Sequence, residues 1–403
     1  MVEALLIGGV LIACFVAYNI GGATTGPAFG PAVGADVISK TAAGLLMSIC
    51  FFLGAATIGR RVVDTLGEDL VHDPGVFTLS ASIIILFFIG GALLVGNLSG
   101  APSSTSMTAV GSIAGFALAA DVLNFAVIGE ILAWWLISPV IGFWAAVMVG
   151  RYLYTSLDRI ISIDQSDGPL LTLDRSNRVP RPALGPNTTQ REVVGAAVVV
   201  GIGCLMAFSS GASNIANAIA PLVGSDALEM NLGIVIGSLA VAVGALTIAR
   251  RTMETLGNDI TDLPLTAAII VAVLSSIIVI LLSAIGIPAS FVIIATVCIV
   301  GLGWGRSTRR VSISDAVRGE ATQRISINSL TADEGAPTVG NPELADSSSE
   351  TTLGDRSSNA SESPSPGDLF DPETTVRVIL MQNVVPILAT IGSYLTFTLL
   401  GPV

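Results

Sequence analysis

Two groups of hydroxyl and amide side chains interrupt long apolar stretches of this chain. One is the run Gly211–Asn217 (GASNIAN), and the other is Gly100–Ser106 (GAPSSTS). A proline suits the first turn of a helix, where free backbone N–H groups are presented and Ser or Thr side chains add further donors. Each helix N-terminus also supplies about half a positive charge. Such groups could therefore bind a small anion at membrane depth without any cationic side chain.

Both groups also have simpler interpretations. Intramembrane amides such as Asn214 and Asn217 can hold neighbouring helices together by hydrogen bonds. Ser and Thr side chains in membrane helices often bond to their own backbone or cap a helix. A binding role is favoured because the polar groups lie beside prolines and at matching places in two halves of the chain.

The two halves resemble each other in sequence. The segment from Cys14 to Asp69 matches the segment from Cys204 to Asp259 without a gap, and Pro102 of the second polar run matches Pro288. Duplicated sets of hydrophobic segments, interrupted by Gly and Pro at corresponding places, are typical of secondary transporters. In that architecture the substrate site lies between the two copies.

The composition indicates a membrane protein. Hydrophobic residues make up 52% of the chain and charged residues 12%, and the mean hydropathy is +0.80. Several uncharged runs reach the ~20 apolar residues that a membrane helix needs. The N-terminal apolar segment lacks a basic start, so we interpret it as the first membrane helix rather than a signal peptide. The four cysteines lie in apolar segments, so we expect no disulfide framework and no zinc site.

The pattern predicts an all-α, polytopic membrane protein made of two inverted repeats with broken or re-entrant helices. An interior proline removes a hydrogen-bond donor and clashes with the preceding turn, so we expect breaks where prolines occur. Broken segments are predicted at 19–37, 99–120, 209–227 and 286–305. Unbroken helices are predicted at 3–18, 41–59, 77–98, 122–150, 192–208, 231–249, 264–284 and 375–400.

These elements divide the chain into five parts. They are a first membrane repeat (1–150), a central polar loop (151–191), the first part of a second repeat (192–305), an acidic Ser/Thr-rich linker predicted to be disordered (306–374) and a final membrane helix (375–403). Arginines in the loop and at the start of the linker predict that both lie on the cytoplasmic side of the cell membrane. If each repeat crosses an odd number of times, both chain termini lie outside.

Taken together, the motifs resemble those of the sodium- or proton-coupled inorganic phosphate transporter (PiT) family. Gly211–Asn217 is similar to the family's Gly-Ala-Asn-Asp-Val-Ala-Asn motif, and Gly100–Met107 to its Gly-x-Pro-Val-Ser-Thr-Thr-His segment. A Trp-x-x-Ser-Pro helix and a Thr-containing stretch of the family have counterparts at Trp135–Pro139, Thr65–Gly67 and Thr255–Gly257. The resemblance extends over 3–305 and again from 375, and it implies a region that handles cation and phosphate together.

The polar runs and the resemblance together predict the binding residues. The predicted substrate-binding residues are Ser103, Ser104, Thr105, Ser106, Ser290, Ser213, Asn214, Asn217, Thr24 and Thr25. The predicted coupling-ion residues are Asn214, Asn217, Asn19, Asp36, Asp226 and Glu130. The family's acidic motif position is neutral in both copies (Thr24 and Asn214), so sodium would be ligated by amide, hydroxyl and backbone oxygens.

The acidic candidates have alternative roles. Asp36 and Asp226 occupy matching positions after the first broken segments, where they could bind a cation or cap the next helix from the interface. Glu130 is a functional candidate because a carboxylate within a membrane segment is costly. Its alternative position is near the membrane interface.

We therefore expect a cation-coupled symporter that moves inorganic phosphate across the cell membrane by alternating access. No catalytic residue is expected, because the one histidine, His72, lies in a polar loop and no nucleophile–base pair is visible. The alternatives are a permease for sulfate or another oxyanion, and a membrane receptor or scaffold that uses the 306–374 linker. The expected partners are phosphate and the lipid bilayer but no nucleic acid. Na⁺ is the candidate coupling ion, no other cofactor is expected, and a homo-oligomer is compatible with the sequence.

Overall fold

The computed structural model describes residues 2–34, 37–98, 104–161, 171–174, 181–184, 189–259, 265–307 and 372–401. The helices of these residues are α1 (Val2–Gly34), α2 (Lys40–Thr57), α3 (Gly59–Asp64), α4 (Leu79–Leu98), α5 (Thr105–Ala119), α6 (Phe125–Met148), α7 (Tyr154–Ile161), α8 (Gln190–Gly224), α9 (Met230–Asp259), α10 (Leu265–Ala284), α11 (Phe291–Ser307) and α12 (Pro372–Leu400). Short π-helical turns follow α3 and α6 at Thr65–Asp69 and Val149–Leu153, and a 3₁₀ turn precedes α4 at Pro74–Val76.

The helices form a membrane protein. In the described part of the chain, seven helical stretches are long and apolar enough to cross a membrane, and they belong to α1, α2, α4, α6, α8, α9 and α10. Large apolar side chains cover their outer faces, for example Leu11, which is 64% exposed, and Leu136, which is 75% exposed. Such a surface is favourable in lipid and costly in water. The prediction of an all-α, polytopic membrane protein is confirmed.

Two short strands lie within the predicted central polar loop. β1 (Leu171–Asp174) and β2 (Arg181–Leu184) pair in antiparallel fashion, with Leu171 opposite Leu184. The helix α7 also occupies the beginning of that loop. Residues 308–371, which contain nearly all of the linker predicted to be disordered, lie outside the described residues.

The breaks predicted at 19–37 and 209–227 are wrong. The helix α1 continues through Pro27 and Pro31, and α8 continues through Pro221. A loop at membrane depth would leave several backbone groups without partners, whereas each interior proline removes only one helical hydrogen bond. At Pro221 the helix is also joined to α4, because the Ser82 hydroxyl donates to the carbonyl oxygen of Pro221 at 2.6 Å.

The other pair of predicted breaks is confirmed. In the first repeat, α4 ends at Leu98 and α5 begins at Thr105, after Ser104 in an extended conformation. In the second repeat, α10 ends at Ala284 and α11 begins only at Phe291. The short helices that follow the two breaks are therefore separate elements rather than continuations of α4 and α10.

The helices α4 and α5 run antiparallel to each other. The His72 N–H donates to Val122 O at 2.8 Å, and the Asn124 N–H donates to Leu70 O at 3.0 Å. The chain just before α4 thus lies beside the chain just after α5, so the two helices enter and leave on the same side. The 15 residues of α5 span roughly 22 Å, less than the ~30 Å of a hydrocarbon core. The helix α5 is therefore too short to cross a membrane by itself.

The sequence duplication corresponds to a duplication of contacts. Gly21 of α1 packs against the carbonyl of Val241 in α9, and the matching residue Gly211 of α8 packs against the matching carbonyl of Phe51 in α2. At each place a Cβ atom would overlap the backbone, so only glycine allows this approach. The pairs α1–α9 and α8–α2 are equivalent.

The last helix of each repeat packs against the short helix of the other repeat. The pairs are α6 with α11 and α12 with α5. Gly115 of α5 lies against the Thr390 carbonyl of α12, and its counterpart Gly301 of α11 lies against the Phe143 carbonyl of α6. The two repeats therefore interlock around their interrupted segments.

Candidate functional site

The start of α5 presents a row of hydroxyl groups. Ser104 caps the helix, because its Oγ accepts from the Met107 N–H at 3.2 Å. Helix capping was the alternative role that the sequence analysis gave for Ser and Thr side chains. The cap holds the backbone just before Thr105 and Ser106 in place. The next two side chains, Thr105 and Ser106, point away from α5 toward α8.

Two amide side chains of α8 meet these hydroxyls. The Asn214 Oδ1 atom accepts from Thr105 Oγ at 2.7 Å and lies 3.4 Å from Ser106 Oγ. It also accepts from the Asn217 Nδ2 group at 3.2 Å, while Asn214 Nδ2 donates to Ser210 Oγ at 3.0 Å. The amides are therefore oriented by bonds to both helices.

The break of the second repeat completes the arrangement. The carbonyl of Ala289 accepts from Ser106 Oγ at 3.0 Å and from Ser213 Oγ at 2.9 Å, and its N–H donates to Ser213 Oγ at 3.0 Å. The adjacent Ser290 is half-buried and its Oγ lies 3.5 Å from the Ile293 N–H, at the start of α11. The start of α5 and the second break, far apart in sequence, thus lie in direct contact.

These groups form one site, called here the polar cluster. It consists of Ser104, Thr105, Ser106, Ser210, Ser213, Asn214, Asn217 and the backbone of Ala289. The predicted substrate residues Ser104, Thr105, Ser106, Ser213, Asn214 and Asn217 all belong to it.

The polar cluster is largely buried and contains no charged side chain. Ser106 and Asn217 are fully buried, and Asn214 is 5% exposed. Among the described residues, the one charged side chain that is fully buried is Glu192 at the start of α8, roughly 33 Å along the helix from Asn214. A buried neutral cluster of hydroxyls and amides can donate hydrogen bonds to an anion or offer oxygens to a small cation.

One atom of the polar cluster lacks a hydrogen-bond partner. The Oδ1 atom of Asn217 is fully buried and accepts no hydrogen bond. Because buried polar groups are nearly always paired, this acceptor is available to a hydrogen-bond donor or to a cation of a ligand.

Three predicted residues of α1 lie apart from these hydrogen bonds. The hydroxyls of Thr24 and Thr25 donate to Ile20 O and Gly21 O of their own helix, at 2.8 and 2.7 Å. Asn19 instead accepts at Oδ1 from Asn97 of α4, at 3.1 Å. These are the simpler roles described above for hydroxyls and amides in membrane helices.

The acidic candidates are also remote. Asp226 is exposed in the turn between α8 and α9 with a φ of 54°, and Glu130 is exposed near the start of α6. Asp36 and Ser103 lie outside the described residues.

Sequence reasoning missed several residues that shape the site. Ser210 lies one helical turn before Asn214, so helical spacing could have placed it beside that amide. Asn97 lies at the end of α4, and nothing in its sequence surroundings links it to Asn19. Trp135 was recognised only as part of a motif, yet its indole Nε1–H donates to Pro288 O at 2.7 Å and anchors the second break.

Comparisons with known proteins agree with this architecture. Residues 20–328 match the model of the phosphate transporter family. The chain is 28% identical over 302 residues to the sulfate permease CysP of Bacillus subtilis, covering 75% of this chain and 78% of that protein. It is also 28% identical over 374 residues to a Helicobacter pylori protein that carries the name phosphate permease, covering 76% and 70%. A solved structure titled "The sodium-dependent phosphate transporter" superimposes with a TM-score of 0.58 at 16% identity, covering 98% of this chain and 99% of that one.

Proposed function

The chain belongs to the phosphate transporter family, and we propose that it is a secondary transporter that carries inorganic phosphate through the polar cluster. The membership confirms the resemblance stated from the motifs. The observation that carries the proposal is the hydrogen bond between Ser106 Oγ and Ala289 O, which joins the interrupted segments of both repeats inside the membrane. In transporters built from repeats, substrate sites lie at such junctions.

The polar cluster can neutralise an oxyanion without a cationic side chain. The helices α5 and α11 both begin here, and each helix start contributes about half a positive charge. Two such starts offset roughly one negative charge, and hydroxyls of Thr105 and Ser106 can turn from Asn214 to the anion. In a site that excludes water, these fixed dipoles act more strongly than they would in solution. The rest of the charge of a phosphate dianion requires a co-bound cation.

Sodium is the cation that we propose for this role. The neutral oxygens of the polar cluster include the Asn214 Oδ1 atom and the carbonyl oxygen of Ala289. Amide and hydroxyl oxygens ligate hard cations, and a bound anion would supply the negative charge that the side chains lack. A proton, the alternative coupling ion, has no carboxylate to occupy in the polar cluster.

Alternating access would follow from the interlocked repeats. We propose that the repeats are inverted relative to each other, with the central loop and the linker on the cytoplasmic side and both termini outside. The equivalent pairs α6–α11 and α12–α5 would then move as two units about the polar cluster. Each unit contains the short helix of one repeat and the last helix of the other.

Sulfate is the second candidate substrate, and two observations favour it. The chain is similar over most of its length to a protein named as a sulfate permease. The polar cluster also lacks a carboxylate, whereas a protonated phosphate donates a hydrogen bond and benefits from an acceptor. The orphaned Asn217 Oδ1 atom is such an acceptor, and for that reason phosphate remains the first proposal.

Uptake into proteoliposomes tests the proposal. Purified protein is reconstituted, and labelled phosphate uptake is measured with a sodium gradient and a pH gradient imposed separately. We expect uptake driven by the sodium gradient and weak competition by sulfate. Absence of both phosphate and sulfate uptake, in protein shown to be folded, would refute the transport proposal. Uptake driven only by the pH gradient would refute sodium coupling alone.

A further inference from the structure

A cationic side chain contacts the end of α10, next to the second break. The guanidinium of Arg61, in α3, donates a hydrogen bond from its Nη1 group to the carbonyl oxygen of Ala284, the last residue of α10. Gly59, two residues before Arg61, packs against Ile215 and the carbonyl oxygen of Gly211. Those residues belong to the run of α8 that supplies the amides of the polar cluster. The helix α3 therefore lies beside both the polar cluster and the second break.

Neighbouring carbonyl oxygens at the end of α10 have backbone partners instead. The Gly286 N–H donates to Ser283 O at 3.0 Å. The Ile287 N–H donates to Leu282 O at 2.9 Å. Together with the φ of 83° at Gly286, these two bonds form the glycine cap with which many helices end. Ala284 O lies outside this cap, so the guanidinium completes the hydrogen bonding of this helix end.

The end of α10 opposes the binding of an anion in the polar cluster. The C-terminus of a helix carries about half a negative charge, whereas the start of a helix carries about half a positive charge. Both kinds of helix end meet at the second break, since α10 ends at Ala284 and α11 begins at Phe291. Without compensation, the end of α10 would cancel much of the attraction that the start of α11 offers. A guanidinium bound to Ala284 O removes this opposition.

The positive charge of Arg61 is available for this role. Arg61 is exposed, and in the part of the chain that the structure describes no carboxylate forms an ion pair with it. The adjacent Arg60 bonds to other helices: its Nη2 group donates to Asn231 Oδ1 of α9 at 2.6 Å. Its Nε group donates to Ala56 O of α2 at 2.7 Å. Two neighbouring arginines of equal charge therefore differ in whether they contact the second break.

We propose that Arg61 is a positioning residue for anion binding, whose guanidinium neutralises the C-terminal end of α10 so that the start of α11 dominates the field at the polar cluster. The inference rests on the proposed transport function and extends it to a residue that acts through the second break. The ligand is the same oxyanion, phosphate or sulfate. Arg61 does not contact it, so the polar cluster itself still holds the anion without a cationic side chain.

A purely structural role is the alternative. Arginine side chains often cap helix ends, and Thr65, one turn after Arg61, packs against Gly286, so this part of the chain also supports the break sterically. The two roles lead to different results. Loss of a structural support would lower the stability of the protein and would not depend on salt. Loss of an exposed charge would weaken anion binding less as the ionic strength rises, because salt screens the charge.

The test compares Arg61→Gln, Arg61→Lys and Arg60→Gln in proteoliposomes. Glutamine removes the charge but keeps an amide donor, lysine keeps the charge, and Arg60→Gln removes an equal charge from the adjacent position. KM and the maximal rate are measured for labelled phosphate and, in parallel, labelled sulfate. Each measurement is made at low and at high ionic strength, with the sodium concentration held constant and choline chloride added. The melting temperature of each variant is measured in the same preparations.

We expect Arg61→Gln to raise KM about two- to fivefold at low ionic strength, which is the effect of one charge at an exposed helix end. The maximal rate should stay the same, because the lost attraction concerns binding of the anion. The increase in KM should largely disappear in about 1 M salt, where charges interact over only ~3 Å. Arg61→Lys and Arg60→Gln should leave KM unchanged.

Equal KM values for the wild type and folded Arg61→Gln would overturn the inference and leave the proposed function intact. An increase that persists at high salt, or that Arg61→Lys shares, would also overturn it, because it would indicate a structural contact. If Arg61→Gln does not fold, Arg61→Lys decides: a wild-type KM supports the inference, and a KM raised at both salt concentrations overturns it. Failure of the wild type to transport either anion would instead refute the proposed function itself.

Discussion

Replacing Asn217 by leucine tests whether its orphaned oxygen distinguishes phosphate from sulfate. Leucine has nearly the shape of asparagine, but it removes both the Nδ2 donor, which bonds to Asn214 Oδ1 at 3.2 Å, and the unpaired Oδ1 acceptor. Asn214 Oδ1 keeps Thr105 as a donor at 2.7 Å, so no new unpaired atom arises there. A protonated phosphate would lose an acceptor, whereas sulfate has no proton to donate.

The magnitudes separate stability from binding. Loss of the Asn217–Asn214 bond costs ~0.5–1.5 kcal/mol, and removal of a buried unpaired acceptor restores ~1–3 kcal/mol. The free energy of unfolding should therefore change little. A hydrogen bond between a charged ligand and a protein group is worth ~1.5–3 kcal/mol, which corresponds to a roughly 10- to 150-fold weaker phosphate affinity. Sulfate affinity should stay within about twofold of the wild-type value.

The assay is uptake of labelled phosphate and labelled sulfate by the same proteoliposomes, together with a melting temperature for each preparation. Thr296→Val is the matched control, because this hydroxyl of α11 donates only to Val292 O of its own helix, at 2.8 Å. The reasoning is refuted if Asn217→Leu weakens phosphate and sulfate equally. That result would mean that Asn217 serves any anion, or serves the cation, rather than recognising a phosphate proton.

Two further predictions concern the second break. Ser213→Ala should destabilise the protein by ~1–3 kcal/mol because it leaves the buried Ala289 N–H unpaired. Ser106→Ala should cost only ~0.5–1.5 kcal/mol because Ser213 still forms hydrogen bonds with Ala289. Equal melting temperatures for the two variants would contradict this. Gly286→Ala should lower stability by ~1–3 kcal/mol, since Gly286 has a φ of 83° and a Cβ atom would lie 2.6 Å from Thr65 Oγ. Gly303→Ala, with nothing within 4 Å of the added atom, is the control for it, and identical thermal unfolding of the two would rule out the steric argument.

The architecture was largely readable from the sequence because lipid imposes simple requirements. Apolar runs gave the membrane helices, and the match between Cys14–Asp69 and Cys204–Asp259 gave the duplication. The breaks predicted near Pro27 and Pro221 were wrong because the cost of a proline within a helix was judged as it would be in water. In the membrane the cost of an open loop exceeds the cost of one missing helical hydrogen bond.

Part of the site could be predicted from the sequence. Asn214 and Ser106 were both predicted as substrate-binding residues because they lie in polar runs beside prolines, and the structure brings their side chains to within 3.4 Å of each other. Asn19 and Thr24 have the same residue types, yet they bond within α1 or to α4. Sequence alone does not show whether a helix face meets the other break or a neighbouring helix, since that depends on how the repeats interlock.

The two repeats share a scaffold but not a site, and this asymmetry bears on how many ions the protein binds. The close approaches of Gly21 and Gly211 are equivalent, so the backbone framework is duplicated. The side chains on it are not: α8 supplies Asn214 and Asn217 to the polar cluster, while the matching positions of α1 carry Thr24, which bonds to its own helix, and Pro27. A symmetric site would offer two equal half-sites for a coupling cation. Here the Asn214 Oδ1 atom, the amide oxygen proposed as a cation ligand, belongs to α8, which predicts that any coupling cation binds next to α8 rather than on the two-fold axis.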